Sequence, residues 1–324
     1  MRAAETAIWN DYWHFDRLSS FDDAGPTNYA QEIAAGWQAF FEALPDGAAI
    51  LDLCTGNGAI AVMAAAAARR ARKSFRIAAV DAADVNPYRH VKQHRDDLAA
   101  IDFRPATPIE RLPWPAASFD AVVSQYGIEY SDLSLSVPEL ARVIAPGGKV
   151  RLVVHAAEGP VVQRSARVVP EIDFLLHDID LAGAAQRCLR AVAVVERSLN
   201  HSLPAQAAAR DSVAAFQHAL RETARRAPIA ADRALLAEAG ETLTLLYQRR
   251  RQYDVATAIG LVEEIRTEWR HHRARLVAQI DAAITREGRA DLVLRLKALG
   301  ARQVSEADQA GPDGLMGHCI EASF

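Results

Sequence analysis

Cysteine is scarce in this chain of 324 residues: Cys54, Cys188 and Cys319 are the only three. Three distant thiols make no disulfide framework, and none has the CxxC spacing of a zinc site, so no metal is expected. An excess of charge of one sign is also lacking. Lys and Arg total 37 against 41 Asp and Glu, a formal net charge of −4. That balance excludes a nucleic-acid binder working by overall positive charge. Nor is there a run of about 18 uncharged apolar residues, so no membrane span is expected. The longest small-apolar run, Ala59 to Ala68, ends in Arg69-Arg70 and reads as a buried helix. The N-terminus carries acids and aromatics where a secretory signal needs an apolar stretch, which makes the cytoplasm the expected location. What is present suits a folded protein: half the residues are hydrophobic and 24% are charged. The length allows one large domain or two smaller ones.

The two halves differ in pattern. Up to about residue 158, short apolar runs alternate with helical stretches: 49–53, 76–81, 101–103, 119–124 and 149–155. Several are apolar without alternation, as in strands buried on both faces. Strands interleaved with helices predict βαβ units and a parallel sheet. From about Ala205 to Ile284 the sequence is helical, divided by Pro228. Val255, Ile259, Val262, Ile265, Trp269, Leu276 and Ile280 form an apolar stripe, with Asp254 as expected N-cap and Gly288 as expected stop. A helix is predicted over 292–299, then extended pieces at 301–305 and 317–323 around Gly311-Pro312-Asp313-Gly314. Trp37, Phe40 and Phe41 sit at helical spacing and read as core. His271-His272 and Arg249 to Arg251 read as solvated helix faces.

Chemistry concentrates in residues 50–61, a strand, a glycine turn and a helix start. Gly56 and Gly58 permit positive φ and close approach of a ligand, and amides at a helix start bind a carboxylate or phosphate. Asp81 follows Gly58 by 23 residues, at the end of the second strand, where an acid can grip ribose hydroxyls. Asp52, just before the glycines, would repel a pyrophosphate and welcome an ammonium. A glycine loop flanked by an acid and followed by a ribose-binding acid suits a nucleoside that carries an amino acid.

Four segments in order then carry a family resemblance: LDLCTGNG from Leu51, AVDAAD from Ala79, LPWPAASFDAVVSQYGIEY from Leu112, and ELARVIAPGGKVRLVV from Glu139. Together they resemble the class I S-adenosylmethionine (SAM)-dependent methyltransferases, with a type 11-like methyltransferase domain best matched over about 48–158. The resemblance implies an α/β fold: a Rossmann-like, mostly parallel sheet with an antiparallel terminal hairpin and a helical insertion. It implies SAM as cofactor and S-adenosylhomocysteine (SAH) as product. Gly56 and Gly58 would cradle the methionine and ribose, Asp52 would lie near the ammonium, and Asp81 or Asp84 would hold the ribose. Cys54 and Asn57 belong to the same loop and are placed with it at the cofactor. Gln125 and Tyr126 would line the floor where donor and acceptor meet. One departure stands out: Pro108 occupies the position where family members carry an adenine-binding Asp. Ile109 would pack on adenine, with Thr107 or Glu110 replacing the acceptor.

Candidates for catalysis or acceptor contact are His155, at the end of the fifth strand, Glu129 and Tyr126; a structural histidine and a helix-start acid are the competing readings. Trp9, Tyr12, Trp13, His14, Phe15 and Phe21 read equally as an amphipathic helix packed on the core or as a lid over the sulfonium. In the lid reading Tyr12 would bond the methionine carboxylate. The expected division is 1–29 as lid, 30–158 plus 285–324 as SAM-binding core, and 159–284 as helical insertion. Val161, Val162, Val168, Val169, Ile172, Phe174 and Leu175 offer the insertion an apolar lining for substrate, and its helices could equally pair two copies into a homodimer. The expected activity is methyl transfer to a small-molecule acceptor, not to nucleic acid. The alternatives are a SAM-fold binding or scaffold protein without turnover, or a nicotinamide-dependent dehydrogenase. Gly58→Val is expected to abolish SAM binding while leaving the fold intact.

Overall fold

The computed structural model describes residues 3–20, 29, 31–197, 202–311 and 314–324. Phe21, Pro312 and Asp313 lie outside them. The chain divides into two compact units, Met1–Gln163 with Ala278–Phe324, and Arg164–Val277.

The first unit opens with α1 (Ala3–Trp13) and α2 (Gln31–Glu42). A wound array follows: β1 (Ala49–Leu53), α3 (Ala59–Ala71), β2 (Arg76–Val80), α4 (Pro87–His90), α5 (Arg95–Leu98), β3 (Ile101–Arg104), β4 (Phe119–Gln125), α6 (Leu133–Val143) and β5 (Ile144–His155). Next come α7 (Pro160–Asp173), α8 (Leu181–Arg197), α9 (Leu203–Arg226), α10 (Arg233–Gln248), α11 (Val255–Ala282) and α12 (Arg286–Ala298). β6 (Gln303–Gly311) and β7 (Gly314–Ser323) close the chain.

All strands join one seven-stranded sheet of order β3-β2-β1-β4-β5-β7-β6. β1 to β5 pair in parallel, and β7 runs antiparallel to both neighbours. This is the mostly parallel, Rossmann-like sheet with an antiparallel terminal hairpin that the resemblance implied. Side chains alternate across it. Ile50, Ala79, Val123 and Val153 face a core built with Trp37 and Phe41 of α2 and Ile60 and Ala64 of α3. Leu51, Leu53, Val122 and Leu152 face the opposite core, with Leu140 of α6 and Leu296 of α12. Strands covered on both faces must be apolar throughout, and all five residues of β1 are buried. The order reverses between β1 and β4, which opens a crevice at their carboxyl ends.

The second unit has its own core, in which Ile172 and Leu175 pack with Leu181, Phe216, Leu236, Leu243, Val262 and Trp269. Val168, Ile172, Phe174 and Leu175, expected to line a substrate space, are consumed by this core. Val262 and Trp269 of the predicted stripe are buried, and Asp254 Oδ1 accepts from Thr257 N at 2.8 Å as an N-cap does. Gly288 does not stop that helix. It lies inside α12, where its N–H donates to Thr285 Oγ1 at 3.1 Å. β6 is also longer than the predicted 301–305, because it pairs with β7 along nine residues.

Candidate active site

The loop after β1 is built around its acids. Asp52 is buried; its carboxylate accepts from Thr55 Oγ1 at 2.5 Å and from Ala61 N at 3.2 Å, tying the strand end to the start of α3. Burial raises its pKa to about 7 against the pull of those two bonds, with Asp81 adding to the rise. Asp81, at the end of β2, accepts from Gly56 N and Ala83 N, each at 2.8 Å. Burial pushes its pKa up as well.

The glycines serve different neighbours. Gly56 has φ 54°, and a Cβ there would meet the Trp13 indole at 2.4 Å. Gly58 caps α3 at φ 92°, and a Cβ there would meet Phe103 Cζ at 2.6 Å. Gly58 is therefore required by backbone and by packing on β3, and substitution disturbs the fold itself. The expectation that Gly58→Val leaves the fold intact is corrected on that ground.

Two non-glycine residues take the left-handed conformation at the crevice: Cys54 (φ 55°), just past β1, and Tyr126 (φ 53°), just past β4. Both line a cavity of about 560 Å³, open mouth included. Trp9, Trp13, Cys54, Asp81, Ala82, Ile109, Glu110, Tyr126, Gly127, Tyr130 and Ser131 line it. No Lys or Arg is among them. Gly127 lets the two turns approach, since a Cβ there would meet Cys54 Cβ at 2.4 Å. Burial, with the carboxylates of Asp81, Glu129, Glu110 and Asp52, holds the Cys54 thiol well above its usual range, so it is no nucleophile. Burial, then Glu129, raises Tyr126 and Tyr130, which stay protonated at neutral pH.

The structure thus brings Cys54, Asp81, Ile109, Glu110 and Tyr126 to one cavity. It keeps other candidates off the wall. Asp84 is exposed, and its N–H donates to Asn10 Oδ1 at 2.8 Å. The Thr107 hydroxyl turns back to Pro105 O at 3.1 Å. Gln125 accepts from Trp37 Nε1 at 2.6 Å. Tyr12 donates to Ser20 O at 3.2 Å, under the Arg17 guanidinium. Asn57 is fully buried and turned toward the N-terminal segment.

His155 and Glu129 stand behind the wall. Glu129 Oε1 accepts from His155 N and lies 2.9 Å from His155 Nδ1. Gln279 Nε2 lies 3.1 Å from His155 Nε2. An amide N–H donating to Nε2 leaves the proton on Nδ1, facing the carboxylate. The imidazole stacks on Tyr126 with ring centroids 4.3 Å apart. With both nitrogens engaged and no place on the cavity wall, His155 is positioned to hold Glu129 and Tyr126, not to reach an acceptor. Trp9 and Trp13, from the aromatic cluster read in the sequence as either a lid or a packed helix, complete the wall together with Ala82, Gly127, Tyr130 and Ser131.

Residues 50–148 match a family model described as a methyltransferase domain. The match is to that domain alone and covers less than a third of the chain. A curated relative is the 2-phytyl-1,4-naphtoquinone methyltransferase of Thermosynechococcus vestitus, 26% identical over 139 residues, which are 43% of this chain and 58% of that protein. Among solved structures, the YcgJ protein of Bacillus subtilis matches at 22% identity and TM-score 0.31, over 44% of this chain and 59% of that one. The Burkholderia thailandensis 1,6-didemethyltoxoflavin-N1-methyltransferase, solved with 1,6-didemethyltoxoflavin and SAH bound, matches at 21% identity and TM-score 0.31, over 40% of this chain and 56% of that one. The chain thus spans less than two thirds of the length of each.

The cavity of the first unit fits a cationic nucleoside. Aromatic faces attract positive charge, and two carboxylates without a lysine or arginine suit hydroxyl and N–H donors. Among the described residues, no helix is long and apolar enough to cross a membrane.

Proposed function

We propose that the protein transfers a methyl group from SAM to a small-molecule acceptor. The observation that carries this reading is the Asp81 carboxylate on the wall of an aromatic cavity, at the point where the sheet order reverses.

Bound SAM supplies an electrophilic methyl group on a sulfonium. Asp81, already oriented by two amides, is the ribose ligand. Ile109 packs on the adenine, and Glu110 takes the acceptor role that Pro108 lacks, since Thr107 is turned away. Trp9, Trp13, Tyr126 and Tyr130 offer ring faces to the positive charge and exclude water, so positioning does most of the work. Asp52 shapes the loop from within. His155 and Glu129 fix the Tyr126 ring, and a base is required only if the acceptor loses a proton as the methyl moves. A small acceptor is favoured by the quinone named for the curated relative. In the same reading, segment 159–284 provides acceptor choice or a homodimer contact, which the mass of the full chain in solution distinguishes.

Calorimetry with SAM and SAH tests the cofactor site. Both should bind, and Asp81→Asn should weaken SAH by about a hundredfold, the scale of a lost charge-assisted pair. Labelled SAM, incubated with a metabolite extract, should pass its methyl to a small molecule. Failure to bind either ligand would refute the reading. Binding without any transfer would favour the scaffold alternative.

A further inference from the structure

The N-terminal segment that walls the cavity meets the rest of its unit through a pair of histidines. His14, just past α1, stacks on His90 at the end of α4, with ring centroids 4.9 Å and planes 23° apart. The same segment brings Trp9 and Trp13 to the cavity wall. Its Trp13 indole lies against Gly56, and Trp9 meets Tyr130 edge-on with centroids 5.5 Å apart. The two imidazoles therefore stand where a wall of the cavity is fastened.

Stacked neutral imidazoles attract, whereas two protonated ones at this separation repel. The surroundings do not offset a second charge. The charges acting on His90 are those of His14 and of Arg89 on its own helix, both positive. Asp16, the acid two residues beyond His14, is taken up by Lys92: it accepts from Lys92 N at 2.9 Å and lies 3.2 Å from Lys92 Nζ. Arg95 of α5 acts on Asp16 too. Within the segment, Asp11 O accepts from His14 N at 3.3 Å, and the Arg17 guanidinium lies over the Tyr12 ring at 4.4 Å. Partial burial, then His14 and Arg89, hold His90 below the ordinary histidine value of 6.5, against the His14 carbonyl, which favours the charged ring.

We propose that His14 and His90 form a pH-operated latch: as neutral rings they stack and hold the N-terminal segment as a wall of the cavity, and once protonated they repel and release it. The sign follows from His90. The latched segment binds fewer protons than the released one, so its hold is complete above the ordinary histidine range. That hold is lost as the pH falls through the lowered value of His90. The tie at Asp16 does not share this response. The Lys92 amide and then its ammonium keep Asp16 below the ordinary aspartate value of 3.8, so it stays ionised while the histidines titrate. The latch acts whatever ligand the cavity takes and does not rest on the SAM reading.

Hydrogen exchange of the full-length protein, read by mass spectrometry on peptides from residues 3–20, measures release. Each rate is divided by that of the unfolded peptide at the same pH, which gives a protection factor. Between about pH 7.5 and about pH 5 the wild type should lose about tenfold in protection, the scale of two like charges in contact near a surface. His14→Phe keeps a flat ring without a charge and should stay protected at both pH values. His14→Lys sets a fixed charge against His90 and should show the low protection already at about pH 7.5. His14 is exposed, so neither change disturbs the core. Equal protection of the wild type at both pH values would overturn the proposal, as would full protection of His14→Lys at about pH 7.5. A loss in His14→Phe as large as in the wild type would also overturn it, and would place the response in the buried acids Asp52 and Asp81.

Discussion

Replacing Gly58 by alanine should damage the fold before it touches any ligand. The glycine has φ 92°, and a left-handed conformation costs a residue with a Cβ about 1–2 kcal/mol. The new methyl would also sit 2.6 Å from Phe103 Cζ and 2.8 Å from its Cε1, closer than real contacts allow. Phe103 cannot swing away freely, because its ring packs edge-on against Tyr88 with centroids 5.5 Å apart. Overpacking of this kind costs about 1–3 kcal/mol. The two effects give a loss of about 2–5 kcal/mol. In a unit of this size the melting midpoint should fall by about 4–20 °C. Denaturant unfolding of wild type, Gly58→Ala, Phe103→Ala and the double variant separates the causes. Removing the ring relieves the collision but not the backbone strain, so the double variant should be about 1–3 kcal/mol more stable than the two single losses predict. Additive losses would refute the collision, and a wild-type midpoint for Gly58→Ala would refute the whole argument.

Two further outcomes follow from the buried charges. Asp52 has a folded pKa of about 7, far above an unfolded aspartate, so the folded state holds the extra proton between about pH 4 and 7. Its contribution is therefore fully present at low pH and is lost as the pH rises toward 7. Asp52→Asn keeps an acceptor for Thr55 and Ala61 and should flatten that part of the stability–pH curve; an unchanged slope counts against the assignment. His155→Ala removes the ring partner of a fully buried Glu129 carboxylate and should cost about 2–3 kcal/mol in denaturant unfolding, more than His155→Gln, which keeps an N–H donor. Equal losses in the two variants would mean that packing on Tyr126, not the hydrogen bond, is what the ring provides.

The core of the fold was legible because its signals are local. β1 and β2 read as apolar runs because both faces of each are covered, and Gly58 marked the start of α3 because the chain turns left-handed there. Asp81 was legible for the same reason: it ends a strand at a fixed distance from the glycines. The roles of Asp52 and His155 were not. An acid before a glycine loop looks the same in sequence whether it faces a ligand or ties Thr55 to Ala61. A histidine at a strand end looks the same whether it meets an acceptor or stacks on Tyr126. Val168, Ile172, Phe174 and Leu175 were read as a substrate lining, although they are core, because a lining and a helical core share one composition.

By itself the sequence determined the strand–turn–helix order, the parallel sheet, and the glycine turn between β1 and α3. These rest on periodicity and on backbone demands that neighbouring residues meet. Only the tertiary structure decided what surrounds that turn. Trp13 reaches the loop from 44 positions before Asn57, and Gln279 reaches His155 across 124 positions. No local pattern records such contacts, because they depend on where the folded chain brings distant side chains.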